Sequence, residues 1–428
     1  MLELKFVIQN MNLVIYKLKK RQGDFTYLQE LLKLNQLRKN FLSQIENLRQ
    51  LKNTFSHSIE ELQHQNILNK ATNNDLIEKE KNSKKHLKKL EKQLFLVEQK
   101  IKQILINTPN LPHDSIPYGT KSEENIEIYR SKKNINNLFP FKDHVTLNNK
   151  LGILDFDRAA KITGSKFVVL KGEGALLERS LINFMLDFHV SNGYKEIFAP
   201  FIVNEISMFS TGQLPKFEEE LFKLKLNNQN WYLNPTAEVP LINLHRQEIL
   251  NANQLPIKYV GYTTCFRQEA GASGKDNRGI SRQKQFNKIE LIQFTEPDYS
   301  YSTLEQMLKD SEEILKKLEL PYRVVLLSSG DLGFSAAKTY DIEVWLPGQQ
   351  KYLEIASISN TESFQALRAN IKFVKERKTK KKYVHTLNGS ALAVGRTLLA
   401  ILENYQNKDG SITVPKVLRP YTKIDIIK

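Results

Sequence analysis

Residues 265–286 read Cys265-Phe266-Arg267-Gln268-Glu269, then Ala-Gly-Ala-Ser-Gly-Lys-Asp-Asn-Arg-Gly to Gly279, then Ile-Ser-Arg-Gln-Lys-Gln to Phe286. An apolar run over 258–266 leads into a glycine-rich basic loop, and a second apolar run follows over 286–294. That is the pattern of two antiparallel strands joined by a loop. A period of two puts Arg267 and Glu269 on one face. There an arginine can grip a phosphate with two parallel hydrogen bonds, and a carboxylate can accept from an exocyclic amine. The same alternation also suits a plain cross-strand ion pair, so the surrounding sequence has to decide between them.

Outward from this hairpin, an amphipathic helix is expected over 174–192, with strands over 196–203 and 351–357. The mixture predicts an α+β domain on an antiparallel sheet. There is no internal repeat, no GxGxxG and no GxxxxGK[ST]. Any nucleotide must then be held by side chains projecting from strands rather than by a phosphate-binding loop.

Residues 24–106 have a different period and no proline. Leu34, Phe41, Leu48, Phe55 and Leu62 lie seven apart, with Leu37 and Leu51 as intermediate seam positions. In a second stretch Leu87, Leu90, Leu94, Val97, Ile101 and Ile104 alternate by three and four. Both stripes fit the narrow seam of a two-stranded coiled coil. The polar segment 63–74 is the expected turn, which makes an antiparallel α-helical hairpin with arms of about 55 Å. Lys79, Lys81, Lys84, Lys85, Lys88, Lys89 and Lys92 crowd the second helix. Such a run is either a solvated face or a contact for a long anionic partner, for which RNA is the candidate. Three prolines and a glycine over 107–119 end the helices. The expected division is an N-terminal domain over 1–113, with its arm over 24–106, and a second domain over 114–428.

The formal net charge of +16 favours an anionic partner, although lysine-rich composition alone can produce it. A single cysteine, Cys265, excludes an internal disulfide framework and a cysteine zinc cluster. No apolar run approaches the ~20 residues that cross a bilayer. The opening MLELKFVIQN is broken by charge too early for a secretory signal. A cytoplasmic location without membrane contact is expected.

The 258–294 hairpin resembles motif 2 of the class II aminoacyl-tRNA synthetases, and FRQEAGASGKDNRG followed by QF resembles the seryl enzymes in particular. Leu387-Asn388-Gly389-Ser390-Ala391-Leu392-Ala393-Val394-Gly395-Arg396-Thr397, with VPKVLRPY beyond, resembles motif 3 over 387–405. The segment 174–203, with Gly193-Tyr194 and a strand ending at Pro200, is similar to motif 1. Asn234-Pro235-Thr236-Ala237-Glu238-Val239-Pro240 resembles the amino-acid-binding signature, and Leu111-Pro112-His113-Asp114-Ser115 the interdomain linker. The chain is thus similar to the seryl-tRNA synthetases over nearly its whole length.

The resemblance implies an antiparallel-sheet class II catalytic domain preceded by the coiled-coil arm. It implies a serine–tRNA ligase using ATP, L-serine and tRNA(Ser), and tRNA(Sec) where one exists, with Mg2+ and no zinc. It also implies a homodimer joined through motif 1, in which one subunit's arm guides tRNA to the other's site. Arg267 would bridge the serine carboxylate and the α-phosphate, and Arg396 would hold the γ-phosphate. Glu354 and Ser357 would bind Mg2+. Gln268, Glu269, Arg282, Phe286, Ile355 and Ala356 would complete the ATP site, with adenine on Phe286 and its amino group on Glu269. A core aromatic is the plain alternative for Phe286. Thr236 and Glu238 would take the serine ammonium, with Ala237 between them in the serine site, Glu290 would take its hydroxyl, and Asn388 and Ser390 would close the pocket. The sequence departs from the family at Ala356, where serine is common, at Lys284, where histidine is common, and at Leu367, where arginine is common. The last departure weakens any role for its neighbourhood. The basic run 372–382 would either touch the acceptor stem or stay solvated. A ligase of the same fold acting on a carrier protein would lack the arm. An inactive RNA-binding paralogue would have lost one of the motif residues, and none is missing.

Overall fold

A computed structural model describes residues 1–64, 70–131, 139–269, 278–376 and 380–428. Residues 65–69 of the expected arm turn, 270–277 of the glycine-rich loop and 377–379 of the basic run lie outside the described residues. Contacts divide the chain into two units, one of Glu3–Lys19 with Gly23–Thr108, the other of Pro109–Lys428 with Met1–Leu2 and Lys20–Gln22.

In the first unit, helices α1 (Glu30–His64) and α2 (Lys70–Asn107) pair antiparallel. Arg38 meets Glu98, and eleven residues on Arg49 meets Glu91, each at 2.9 Å. At 35 and 38 residues the helices are each about 50–60 Å long. The seam differs from the expected one on α1. Leu37 and Leu51 are exposed, while Leu31 and Ile45 are buried, so the second seam position runs Leu31, Arg38, Ile45, Lys52. Starting from Leu34 and Phe41, a step of four rather than three reaches the partner helix, and polar side chains occupy half of those positions. On α2 the expected stripe holds, with Leu90 and Ile101 buried. The seven lysines of its 79–92 run are exposed, and Lys84 pairs with Glu80 at 2.8 Å.

The second unit is built on eight strands: β1 (Ile126–Arg130), β2 (Lys195–Glu196), β3 (Ile257–Phe266), β4 (Gln285–Thr295), β5 (Tyr322–Leu326), β6 (Lys338–Leu346), β7 (Lys351–Asn360) and β8 (His385–Ala393). Their order is β1-β5-β6-β7-β8-β4-β3-β2, antiparallel except for β2 beside β3. β1, β5, β6 and β8 add to the strands expected from sequence, and the strand expected over 196–203 splits into β2 and a separate strand, Ile202–Asn204.

Helices α3 (Glu173–Ser191), α4 (Ser300–Lys317) and α5 (Val394–Asn404) cover one face of this sheet. Their apolar stripes recur at three and four: Leu177, Leu181, Phe184 and Met185; Leu304, Met307 and Leu308; Leu398, Leu399 and Leu402. Each such fully buried side chain contributes about 1.5–3 kcal/mol of transfer free energy. Alternation along β4 then fixes what the other face carries. Ile289 and Leu291 enter the helix-side core, while Ile292 and Phe294 enter a smaller core on the opposite face, with Leu241 and Phe373. Phe286, Lys288 and Glu290 share that opposite face and are left for the site.

Candidate active site

Two β-bulges shape the site. Between β6 and β7 the register slips, so that Glu343 faces Glu354 while Ile342 faces Ala356. The extra residue lets both Glu354 and Ile355 line the cleft, which strict alternation forbids. Between β4 and β8 the register slips again, from Lys288 opposite Ala393 to Glu290 opposite Ser390, and brings both Ser390 and Ala393 to the cleft.

A cavity of about 270 Å³ is lined by Arg267, Glu269, Arg282, Phe286, Glu354, Ile355, Ser357, Ser390 and Arg396, together with Ile280, Ser281, Gln283, Lys288, Ala393 and Gly395. Strand β3 ends at Phe266, but the Arg267 N–H still donates to the Lys284 carbonyl at 2.9 Å and extends the hairpin. The Arg267 guanidinium lies 5.2 Å from the centre of the Phe286 ring. Glu269 is not on a strand as expected. Its backbone has φ +53°, and its carboxylate pairs with Arg282. Both still reach the same cavity. Arg396, in the first turn of α5, donates through Nε to the Ser281 carbonyl at 3.2 Å and through a terminal nitrogen to the Glu354 carbonyl at 2.6 Å. The Glu354 carboxylate is 3.3 Å from the same guanidinium. Burial pushes Glu354 up, but Arg396, Arg267 and Lys288 outweigh it and hold the carboxyl below its ordinary range. Behind it Asp341 is pushed well up, by burial and then by the charge of Glu354. One Asp341 carboxylate oxygen is buried without a hydrogen-bond partner.

A second cavity, of about 370 Å³, shares among the described residues only Arg267 with the first. Glu238 and Asn388 line it, with Phe217, Phe334, Ser359 and Thr361 among its other walls. Thr236 and Glu290 line neither cavity but hold Lys288, a wall of the first: Thr236 donates to Glu290 at 3.1 Å and accepts from the Lys288 ammonium at 3.2 Å. Lys288 also pairs directly with Glu290, which is only 1% exposed. Glu238 accepts from Asn388 at 2.7 Å and from Gln365 at 2.5 Å. Burial, followed by the charge of Glu290, pushes Glu238 up to about 7.

The expected residues therefore gather around one junction, with three exceptions. The Gln268 side chain turns away and donates to the Leu221 carbonyl at 2.9 Å. Ala237 and Ala356 pack in the two cores, where alternation and the helix Glu238–Asn243 direct them. Sequence reasoning missed Lys288, although a period of two from Glu290 would have found it. It also discounted the neighbourhood of Leu367. There Gln365 is fully buried, accepting from Thr386 at 2.8 Å and from Thr361 at 3.2 Å while its amide holds Glu238. Arg368 lies 5.0–5.5 Å from the ring centres of Phe209, Phe334 and Phe364. Among the described residues no three His, Cys, Asp or Glu side chains cluster as a metal site, and no helix is long and apolar enough to cross a membrane.

An antiparallel sheet that holds arginines and carboxylates on its open face, in a sequence with neither GxGxxG nor GxxxxGK[ST], is the catalytic core of the class II aminoacyl-tRNA synthetases. The family model described as "tRNA synthetase class II core domain (G, H, P, S and T)" matches residues 221–405. A second, the "Seryl-tRNA synthetase N-terminal domain", matches residues 1–112. Serine–tRNA ligase of Phytoplasma mali is 59% identical over 430 residues and that of Acholeplasma laidlawii 53% over 429, each alignment covering 100% of both chains. The crystal structure of seryl-tRNA synthetase from Pyrococcus horikoshii complexed with ATP superposes with a TM-score of 0.90 at 36% identity, covering 100% of this chain and 99% of that one. The chain belongs to the seryl-tRNA synthetase family.

Proposed function

We infer that this chain activates serine with ATP as seryl-adenylate and then transfers the seryl group to tRNA(Ser). The observation that carries the assignment of residues is that, among the described residues, Arg267 is the single wall common to two cavities, one basic and the other holding Glu238 and Asn388. A group that must touch both the carboxylate of an amino acid and the α-phosphate of ATP belongs at such a junction.

In the first step a serine carboxylate oxygen bonds to the α-phosphorus, the bond from that phosphorus to the bridging oxygen breaks, and diphosphate leaves. No proton has to move, so positioning and charge stabilisation supply the rate. Arg267 neutralises charge on the carboxylate and α-phosphate, Arg396 and Arg282 face the outer phosphates, and Phe286 offers its ring to adenine. Glu354 and Ser357 supply hard oxygen ligands, and with the orphaned oxygen of Asp341 behind them the set fits Mg2+, which would neutralise phosphate charge when bound. Glu238 and Thr236 receive the serine ammonium. Glu290 accepts the hydroxyl, and the buried carboxylate would be left short of that donor by alanine. In the second step a terminal ribose hydroxyl of tRNA bonds to the seryl carbonyl carbon, loses its proton, and AMP leaves. The second cavity, which Arg267 joins to the first, offers the approach.

We assign residues 1–113 to tRNA binding and 114–428 to catalysis. The exposed lysines of α2 form the phosphate-binding stripe of the arm, for tRNA(Ser) and, where the cell makes one, tRNA(Sec). Assembly as a homodimer through the motif 1 region, and action in the cytoplasm, belong to the same proposal. The test compares the full chain with Arg267→Ala, Arg396→Ala and a variant in which residues 30–107 are replaced by a short linker. The arginine variants should lose serine-dependent ATP–diphosphate exchange by at least about 100-fold. The arm variant should keep exchange and lose charging of tRNA. Unchanged exchange in Arg267→Ala would overturn the assignment.

A further inference from the structure

The neighbouring residues Asp143 and His144 clamp the returning end of the motif 2 loop. Asp143 caps the helix His144–Leu151, accepting from the Thr146 N–H at 2.8 Å, and pairs with Arg278 at 3.3 Å. His144 is 1% exposed. Its Nδ1 lies 3.0 Å from the Glu403 carboxylate, and its backbone N–H donates to the same oxygen at 3.2 Å. Its Nε2 accepts from the Ile280 N–H at 3.2 Å. Since Nε2 accepts, Nδ1 carries the hydrogen and Glu403 fixes that tautomer. Glu403 is fully buried and is held in turn by the Gly348 N–H at 3.1 Å and Gln349 at 2.7 Å.

Gly279 shows how closely the loop is drawn in. At φ +63° a Cβ there would fall 1.9 Å from His144 Nε2 and 2.7 Å from Val145. Only glycine lets the backbone pass at this distance in this conformation. One residue beyond Ile280, the Ser281 carbonyl receives Arg396 Nε, and next to it Arg282 pairs with Glu269. A closed ring results. Arg396 begins α5, Glu403 stands near its other end, His144 links Glu403 to Ile280, and Ser281 returns to Arg396.

We propose that His144 is a positioning residue for ATP, tying the loop stem 278–282 to helix α5 so that Arg282 and Arg396 present a fixed pair of cations to the outer phosphates. The proposal rests on the ATP site assigned above. Misplacement of such groups by about 1 Å costs up to about 100-fold in rate.

The test uses the full chain and ATP–diphosphate exchange, with ATP and serine varied separately, in His144→Ala, His144→Gln and Gly279→Ala. His144→Ala should raise KM for ATP about tenfold or more, in keeping with one lost buried hydrogen bond, while KM for serine stays within about twofold. His144→Gln, whose amide oxygen can take the Ile280 N–H, should recover most of that loss. Gly279→Ala, whose Cβ cannot share the space of His144 Nε2 and so parts the loop stem from that ring, should raise KM for ATP as well, and it carries the test if the His144 variants do not fold. Equal rises in both KM values, or KM for ATP within twofold of wild type in the folded variants, would overturn the proposal. Absence of exchange in the wild-type chain would instead remove the ATP-site reading beneath it.

Discussion

Serine binding should titrate on Glu238. Its carboxylate is the group proposed to receive the serine ammonium, and burial together with the nearby charge of Glu290 pushes it up to about 7. A neutral carboxyl cannot pair with the ammonium, so the productive form appears as pH rises through that value. At pH 6 about one-tenth of such a group is ionised and at pH 8 about nine-tenths, while the serine ammonium stays charged throughout. KM for serine should therefore fall about tenfold between pH 6 and pH 8 at saturating ATP and Mg2+. Measured by ATP–diphosphate exchange, the profile should flatten in Glu238→Gln at a higher KM. Gln365→Met, which removes the 2.5 Å donor to Glu238, should move the midpoint upward, because that hydrogen bond favours the ionised form. A wild-type KM that is flat from pH 6 to 8, or that rises with pH, would refute the reasoning.

Glu178, on α3, accepts from Asn287 at 3.0 Å through one oxygen, and the other is buried without a partner. Burial raises it from 4.5 to about 7 despite that hydrogen bond. Between those values the folded chain binds more protons than the unfolded one, so its stability falls as pH rises, by at most about 3 kcal/mol from this group. Glu178→Gln should show a shallower loss in denaturant melts from pH 5 to pH 8, and an unchanged slope would count against a raised Glu178. Glu290→Ala should reduce the preference for serine over alanine in exchange assays by at least about 100-fold, since the preference depends on a buried acceptor. Undiminished preference would remove Glu290 from the pocket.

What the sequence displayed clearly was whatever repeats along the chain or carries charge on a strand. The seam of α2 followed from its three-and-four spacing, and the grouping of Arg267, Phe286 and Glu290 from the resemblance of one hairpin to motif 2. Features that depend on register were hidden. Leu37 and Ile45 are equally apolar, and only the partner helix decides that Ile45 is buried and Leu37 exposed. The bulge that turns both Glu354 and Ile355 into the cleft leaves no mark in a one-dimensional pattern. Gln365 was illegible for a different reason. Its significance lies in the partners it holds, Glu238, Thr361 and Thr386, two of which are distant in sequence. The tie from His144 to Ile280 spans 136 residues and is likewise visible only in three dimensions.

The most direct measurement is ATP–diphosphate exchange by the full chain, without tRNA, in the presence of serine, threonine, alanine or glycine in turn. The account predicts that serine alone drives rapid exchange and that omission of Mg2+ abolishes it. Exchange with none of the four by a folded protein, or at equal rates with serine and alanine, would contradict it.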